Sequence, residues 1–318
     1  MIATVTLNPC IDQTLTIESL VRGGMNRVRQ VRSDMAGKGL NVSVALKNLG
    51  IESVCLGINY NDNGRLMDSF LDVAGIPRDF FYAPGEIRTN VKLREIESGT
   101  MTEINRPGHF ADDACVGEII GKLKTSGCGT AVLSGSLPQG IGPDAYARIM
   151  DSADKVRFVL DAEGEAFRRG LAAKRKPFLI KPNLYELESA FGVKFDAPDV
   201  MGTAARAAKF CKEIVSEGVR YACVSMGQMG AVIVSCDNAF YAPAQKIPVA
   251  GLQGAGDSMV AGMLYALAEE HDNPSEAHML RCGVAAAGAS VMREGTQLCE
   301  KADFLRLMDQ AEIIPLNI

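Results

Sequence analysis

A chain of 318 residues, 47% of them hydrophobic and 22% charged, has room for one large packed core or two smaller ones. Its net charge of −5 carries no basic cluster, which argues against a nucleic-acid partner. Charges break the apolar runs well short of the roughly 20 residues a bilayer span needs, so no membrane partner is expected. In chain order, residues 2–7 come first, an apolar run that stops at Asn8-Pro9 and reads as a strand, not a signal peptide. Further strands are expected at 53–58, 130–134, 156–161, 178–181 and 222–225. Helical patterns lie near 39–49, 63–74, 111–125, 143–152, 183–191, 199–217, 256–270 and 275–292. That alternation predicts βαβ units and a mainly parallel sheet covered on both faces. Residues 13–36 and about 79–105 break the rhythm with strands that lack intervening helices, the second with a turn at Ser98-Gly99. They predict a small antiparallel sheet standing off the main domain as a lid or an interface. The nine cysteines are scattered with no Cys-x-x-Cys pair, and His109, His271 and His278 lie outside any such spacing. This argues against a structural zinc site or disulfides and points to reduced thiols in a cytoplasmic protein.

Gly254-Ala255-Gly256-Asp257 opens the apolar run Met259 to Leu264, which predicts a helix buried on nearly every face. Three small residues let consecutive amides converge at a positive helix N-terminus, a site for an anion, with the Asp257 carboxylate beside it. Asp257 acting only as a helix cap is the alternative, weakened because a cap needs no glycines before it. Gly37-Lys38-Gly39-Leu40-Asn41 precedes another amphipathic helix and offers a cation and an amide. It is not a Walker A loop, and a plain glycine-rich turn explains it equally well.

Arg88, Asn90 and Lys92 alternate along a predicted strand, so they share one face, with Val91 and Leu93 expected on the other against the core. A row of cation, amide and cation suits a phosphorylated ligand, and a solvated strand face is the alternative. Pro182 ends a strand, and Asn183 and Glu186 share one face of the helix that follows. They could hold the waters of Mg2+ with Lys181 facing a phosphate, or simply form a capping box. Asp12, Ser136, Ser225 and Gly227 lie in loops at predicted strand ends, where open α/β sheets place ligands. For Asp12, a turn aspartate is the alternative.

Thr6-Leu7-Asn8-Pro9…Asp12, the Gly37 to Asn41 segment, Ser134-Gly135-Ser136-Leu137-Pro138, Lys181-Pro182-Asn183…Glu186 and Gly254-Ala255-Gly256-Asp257-Ser258 resemble the motifs of ribokinase-like (PfkB) carbohydrate kinases. They run in order over essentially the whole chain and are most similar to the branch of 1-phosphofructokinases and tagatose-6-phosphate kinases. The resemblance implies a single kinase domain over 1–318: a parallel-sheet α/β/α sandwich with a small antiparallel β-lid that forms a homodimer. It implies Asp257 as general base and the amides of Gly254, Ala255 and Gly256 as an anion hole. Asn183 and Glu186 would be tied to Mg2+, and Lys181, Ser225 and Gly227 would line the ATP groove. Asp12, Gly37, Lys38, Gly39 and Asn41 would hold the sugar, with Arg88, Asn90, Lys92 and Ser136 near its phosphate. The implied reaction moves the γ-phosphoryl of ATP to the 6-hydroxyl of fructose 1-phosphate, giving fructose 1,6-bisphosphate. Tagatose 6-phosphate is the alternative acceptor. Leu252, Tyr60 and the acidic run from Asp161 to Glu165 depart from the family pattern. Two other classes compete: a dinucleotide-dependent oxidoreductase, which lacks the glycine turn after the first strand, and a non-catalytic sugar-phosphate sensor, which has no use for Asp257.

Overall fold

Strand β1 (Ile2–Thr6) is buried at every position, as a strand covered on both faces must be. Ala3, Val5 and Leu7 join one apolar cluster with Tyr146 and Phe158, while Ile2 joins a second with Leu46 and Phe304. The two-residue alternation thus assigns one core layer to each face of the sheet. The computed structural model describes residues 1–270, 274–295 and 297–318, so His271 lies outside the described residues.

From β1 the chain passes through β2 (Cys10–Ile17), β3 (Gln30–Ala36), α1 (Lys38–Leu49), β4 (Ser53–Tyr60), α2 (Arg65–Ala74), β5 (Arg78–Ala83), β6 (Arg88–Glu95) and β7 (Met101–Ile104). Then come α3 (Cys115–Thr125), β8 (Thr130–Ser134), α4 (Ala145–Asp151), β9 (Arg157–Asp161), α5 (Gly164–Leu171), β10 (Leu179–Ile180), α6 (Leu184–Phe191) and α7 (Val200–Ser216). The last elements are β11 (Tyr221–Ser225), β12 (Ala231–Val234), β13 (Ala239–Ala242), α8 (Ala255–Glu269), α9 (Glu276–Val291), α10 (Lys301–Gln310) and β14 (Ile314–Pro315).

The main sheet has the order β14-β13-β12-β11-β10-β9-β8-β1-β4-β5. It is parallel from β11 to β5 and antiparallel from β11 to β14. For β12 and β13 the antiparallel sense follows from chain length, because the few residues before each permit only a hairpin. Successive strands run outward from β1 on one side through β4 and β5, and on the other through β8 and β9. The order therefore reverses between β1 and β8, where open parallel sheets open a crevice at the carboxyl ends of their strands.

A second sheet, β3-β2-β6-β7, stands apart. Its hairpins β2–β3 and β6–β7 are antiparallel, and a parallel β2–β6 pairing joins them. Its limits differ from the expected 13–36 and 79–105. The sheet begins at Cys10, residues 18–29 form no strand, and β5 pairs with β4 in the main sheet. Phe80 and Ala83 decide that pairing by packing into the main core. The helices expected from 111 and 143 start at Cys115 and Ala145. Helices α5 and α10 and strands β12 to β14 were not among the expected elements.

The apolar run after Asp257 is buried without a break from Met259 to Leu267. It packs against α9 so closely that a Cβ on Gly262 would meet the Cys282 carbonyl. Among the described residues no helix is long and apolar enough to cross a membrane. All nine cysteines are free thiols, and only Cys236 is exposed.

Candidate active site

The site is built around the first turn of α8. Gly254 is the cap residue with φ 69°, a left-handed conformation, and a Cβ there would collide with Leu298. No side chain caps this helix, so Asp257 does not act as the cap. Its carboxylate is buried, and Oδ2 accepts a hydrogen bond of 2.8 Å from Nδ2 of Asn41 on α1. Burial and the neighbouring Asp161 raise Asp257 from 3.8 to about 6, against the pull of Lys38, the Asn41 amide and Lys181. Asp257 is thus ionised at neutral pH yet close enough to it to take up a proton.

Beneath this turn lies a charge network that the sequence motifs do not show as one unit. Lys38 Nζ sits 3.5 Å from Asp161 Oδ1 and 3.3 Å from Glu186 Oε1, and Lys181 Nζ sits 3.4 Å from the same Asp161 oxygen. Burial works against the Lys38 ammonium, but Asp161, Glu186 and Asp257 outweigh it and hold the proton firmly. Burial likewise opposes the Asp161 carboxylate, and its two lysines more than offset that, leaving it below the ordinary range. Asp161 Oδ2 is buried without a hydrogen-bond partner. Asn183 and Glu186 form the capping box of α6, each side chain accepting from the other's amide at 2.8 Å. Glu186 therefore keeps one oxygen for the cap and turns the other to Lys38.

The inner face of the second sheet supplies the opposite wall. Asp12 Oδ2 pairs with Lys92 Nζ at 2.8 Å, and its Oδ1 accepts from Asn90 Nδ2 at 3.1 Å. Arg88 donates to the Arg106 carbonyl at 2.7 Å and the Ser136 hydroxyl at 3.5 Å. Asn8 donates to the same hydroxyl at 3.1 Å. Lys38 and Lys92 are each matched to carboxylates, whereas the hydrogen bonds of Arg88 go to neutral oxygens. The Arg88 guanidinium is thus the cation with charge to spare for an anionic ligand.

These walls enclose a cleft of about 1130 Å³. Asp12, Gly37, Lys38, Asn41, Arg88, Asn90, Lys92, Ser136, Gly254 and Asp257 line it, drawn from segments that the sequence keeps far apart. Gly39 does not. A Cβ on Gly39 would stand 2.9 Å from the Val5 carbonyl, so this glycine lets α1 approach β1. Ala255, Gly256, Lys181, Asn183, Glu186, Ser225 and Gly227 also lie off the cleft wall. Gly256 faces Lys181 Nζ, 3.2 Å from where its Cβ would be, and Asn183 bridges to Ser225. Glu163, Arg106 and Asn8 line the cleft and were not singled out as site residues; Arg106 stands in no motif and gave no signal. Of the departures, Leu252 is 76% exposed on the cleft rim, and Tyr60 is buried, its hydroxyl donating to the His109 carbonyl.

Val91 and Leu93 do not face a core. The polar residues Asn90 and Lys92 are the buried ones, and Val91 and Leu93 are half-buried on the outer face. Strand register places Leu15, Val31, Val91, Leu93 and Ile104 together on that face. Val31 is 56% exposed and Ile104 53%.

Comparison with known proteins agrees with this architecture. The chain is 35% identical over 317 residues to the 1-phosphofructokinase of Borreliella burgdorferi, covering 98% of each chain. It is 33% identical to the 1-phosphofructokinase of Bacillus subtilis, covering 92% of this chain and 93% of that one. The crystal structure of phosphofructokinase-2 from Escherichia coli in complex with potassium superposes with a TM-score of 0.88 at 28% identity, over 97% and 98% of the two chains. The family model for the pfkB family carbohydrate kinases matches residues 5–303, and with all but the chain's ends inside that match, the protein belongs to the pfkB family of carbohydrate kinases.

Proposed function

We propose that the protein transfers the γ-phosphoryl group of ATP to the 6-hydroxyl of fructose 1-phosphate. The O6–Pγ bond forms, the bond from Pγ to the β-phosphate oxygen breaks, and the hydroxyl proton passes to Asp257. The observation that carries this reading is the buried Asp257, ionised and held by Asn41 at an uncapped helix N-terminus, in one cleft with Arg88 and Lys92. Phosphoryl transfer asks a protein mainly to position groups and to neutralise charge. The amides at Gly254, Ala255 and Gly256 would meet the transferring phosphoryl group, as donors do in an oxyanion hole. Arg88 with Ser136 would hold the sugar's own phosphate, and Asp12 and Asn90 its hydroxyls. Lys181, Ser225 and Gly227 would border the nucleotide.

The oxygen donors around Lys38 fit Mg2+, a hard cation that keeps several waters: Glu186 Oε1, which the capping box with Asn183 leaves free of the cap, and the unpartnered Oδ2 of Asp161. When bound, Mg2+ neutralises phosphate charge. Lys38 and Lys181 keep Asp161 ionised, so its free oxygen is available to a cation.

The second sheet would act as lid and dimer contact in a cytoplasmic homodimer. Its outer face carries Leu15, Val31, Val91, Leu93 and Ile104, of which Val31 and Ile104 are more than half exposed, and a contiguous exposed apolar patch of this kind suits a protein contact. The deciding experiment is ATP consumption measured across fructose 1-phosphate, tagatose 6-phosphate, fructose 6-phosphate and free fructose. The highest kcat/KM is expected for fructose 1-phosphate. Faster turnover of a free sugar would overturn the assignment of Arg88 as a phosphate ligand.

A further inference from the structure

At the other end of α8, about 18 Å along the helix from Asp257, lies a second cluster of chemically active side chains. Glu269 ends α8, and His278 and Cys282 stand one turn apart on α9. The absence of a Cys-x-x-Cys pair argued against a zinc site, but the fold adds a carboxylate from a different helix to the His-Cys pair. One ligand atom from each of the three residues lies within 4.8 Å of the others.

We propose that Glu269, His278 and Cys282 bind a thiophilic divalent cation, zinc by preference, which ties the end of α8 to α9. Two edges of the cluster have the lengths such a site sets. A tetrahedral zinc with bonds of roughly 2.3 Å to sulfur, 2.05 Å to nitrogen and 2.1 Å to oxygen sets S···N and N···O edges of about 3.6 and 3.4 Å. Cys282 Sγ stands 3.6 Å from His278 Nε2, and that nitrogen stands 3.4 Å from Glu269 Oε2. The sulfur is also 4.0 Å from Nδ1, beside the ring, so the half-buried imidazole must turn about its side-chain bonds to aim the Nε2 lone pair at a shared metal. A thiolate, a carboxylate and a neutral imidazole together balance the charge of a divalent cation, and mixed sulfur and nitrogen donors select zinc over magnesium.

The surroundings hold the ligands in place. The Tyr265 hydroxyl donates to the other oxygen of Glu269 at 2.6 Å, leaving Oε2 turned to the imidazole. Ser275 caps α9 by accepting from the His278 amide at 3.2 Å. Glu270 Oε1, 4.0 Å from His278 Nε2, offers a fourth donor, and Met308 Sδ of α10 lies 3.6 Å from the Cys282 sulfur.

The test is a titration of the full chain with Cd2+ without nucleotide, following thiolate-to-cadmium charge-transfer absorption, with Zn2+ as competitor. One equivalent should bind and be displaced by Zn2+. At a hundredfold excess of metal over Kd, the Tm should rise by about 5 °C. H278Q and C282S should each weaken binding at least tenfold, while C236S, which removes the exposed cysteine, should not. H278Q changes a residue on the helix surface, so unchanged circular dichroism and kinase activity would show that its loss of binding is local. No absorption band in the parent, a band kept in both H278Q and C282S, or a band lost in C236S would each overturn the site.

Discussion

Replacing Asp257 by Asn should slow the enzyme and stabilise the fold together. The amide keeps an oxygen to accept from Asn41 Nδ2, so the geometry of the first turn of α8 survives. What disappears is a buried charge and a proton acceptor. General bases contribute roughly 10² to 10⁴-fold, and kcat should fall within that range while the KM for ATP changes little. The stability change comes from the raised carboxyl. A group lifted from 3.8 to about 6 binds its proton more tightly in the folded than in the unfolded chain. Above pH 6 that difference costs the folded state about 3 kcal/mol, at 1.36 kcal/mol for each tenfold change in proton affinity. The cost fades as pH falls through about 6 and is gone below 3.8. At pH 7.5 Asp257→Asn should therefore melt about 5 °C above the parent, and the gap should close on acidification. Scanning calorimetry at several pH values beside steady-state kinetics checks both halves. In the parent, kcat/KM should rise with pH through an inflection near 6. A kcat within about threefold of the parent, outside the range for a lost base, or a Tm that falls at pH 7.5 would refute this account of Asp257.

Other substitutions probe the remaining walls of the cleft. Arg88→Ala should raise KM for the sugar phosphate by about 10- to 100-fold, as expected for a lost charged hydrogen bond, with the KM for ATP held within twofold; equal effects on both would remove Arg88 from the phosphate site. Gly39→Ala forces a Cβ to 2.9 Å from the Val5 carbonyl, a backbone atom that cannot swing away, and should cost about 1–3 kcal/mol in urea unfolding. Leu93→Glu places a charge on the outer face of the second sheet and should convert a dimer to a monomer in light scattering, whereas an unchanged mass would place the dimer contact elsewhere.

Periodicity and punctuation determined much of this protein from sequence alone. A buried β1 before Asn8-Pro9, the βα alternation, the apolar run Met259 to Leu264 of α8 behind Gly254, and the shared face of Arg88, Asn90 and Lys92 all follow from local spacing. Each needs only neighbours a few residues away, because the two-residue and 3.6-residue repeats fix an element and its faces. Which face turned inward was not local. The hydrophobic pattern put Val91 and Leu93 against a core, but β2 carries Asp12 to the cleft beside Asn90 and Lys92, and the sheet turned its polar side in. Phe80 likewise belonged to the main sheet because β5 found β4, a pairing no turn signal announced. The site itself was the least local part. Asn41 and Asp257 are 216 residues apart, and Lys38 reaches both Asp161 and Glu186 across more than a hundred residues. The position of Asp257 near neutrality depends on burial and on Asp161, neither of which has a sequence pattern. Short-range sterics selected the parts, and only strand order around β1 brought their charges within a few ångströms, where Coulomb forces and desolvation set the chemistry.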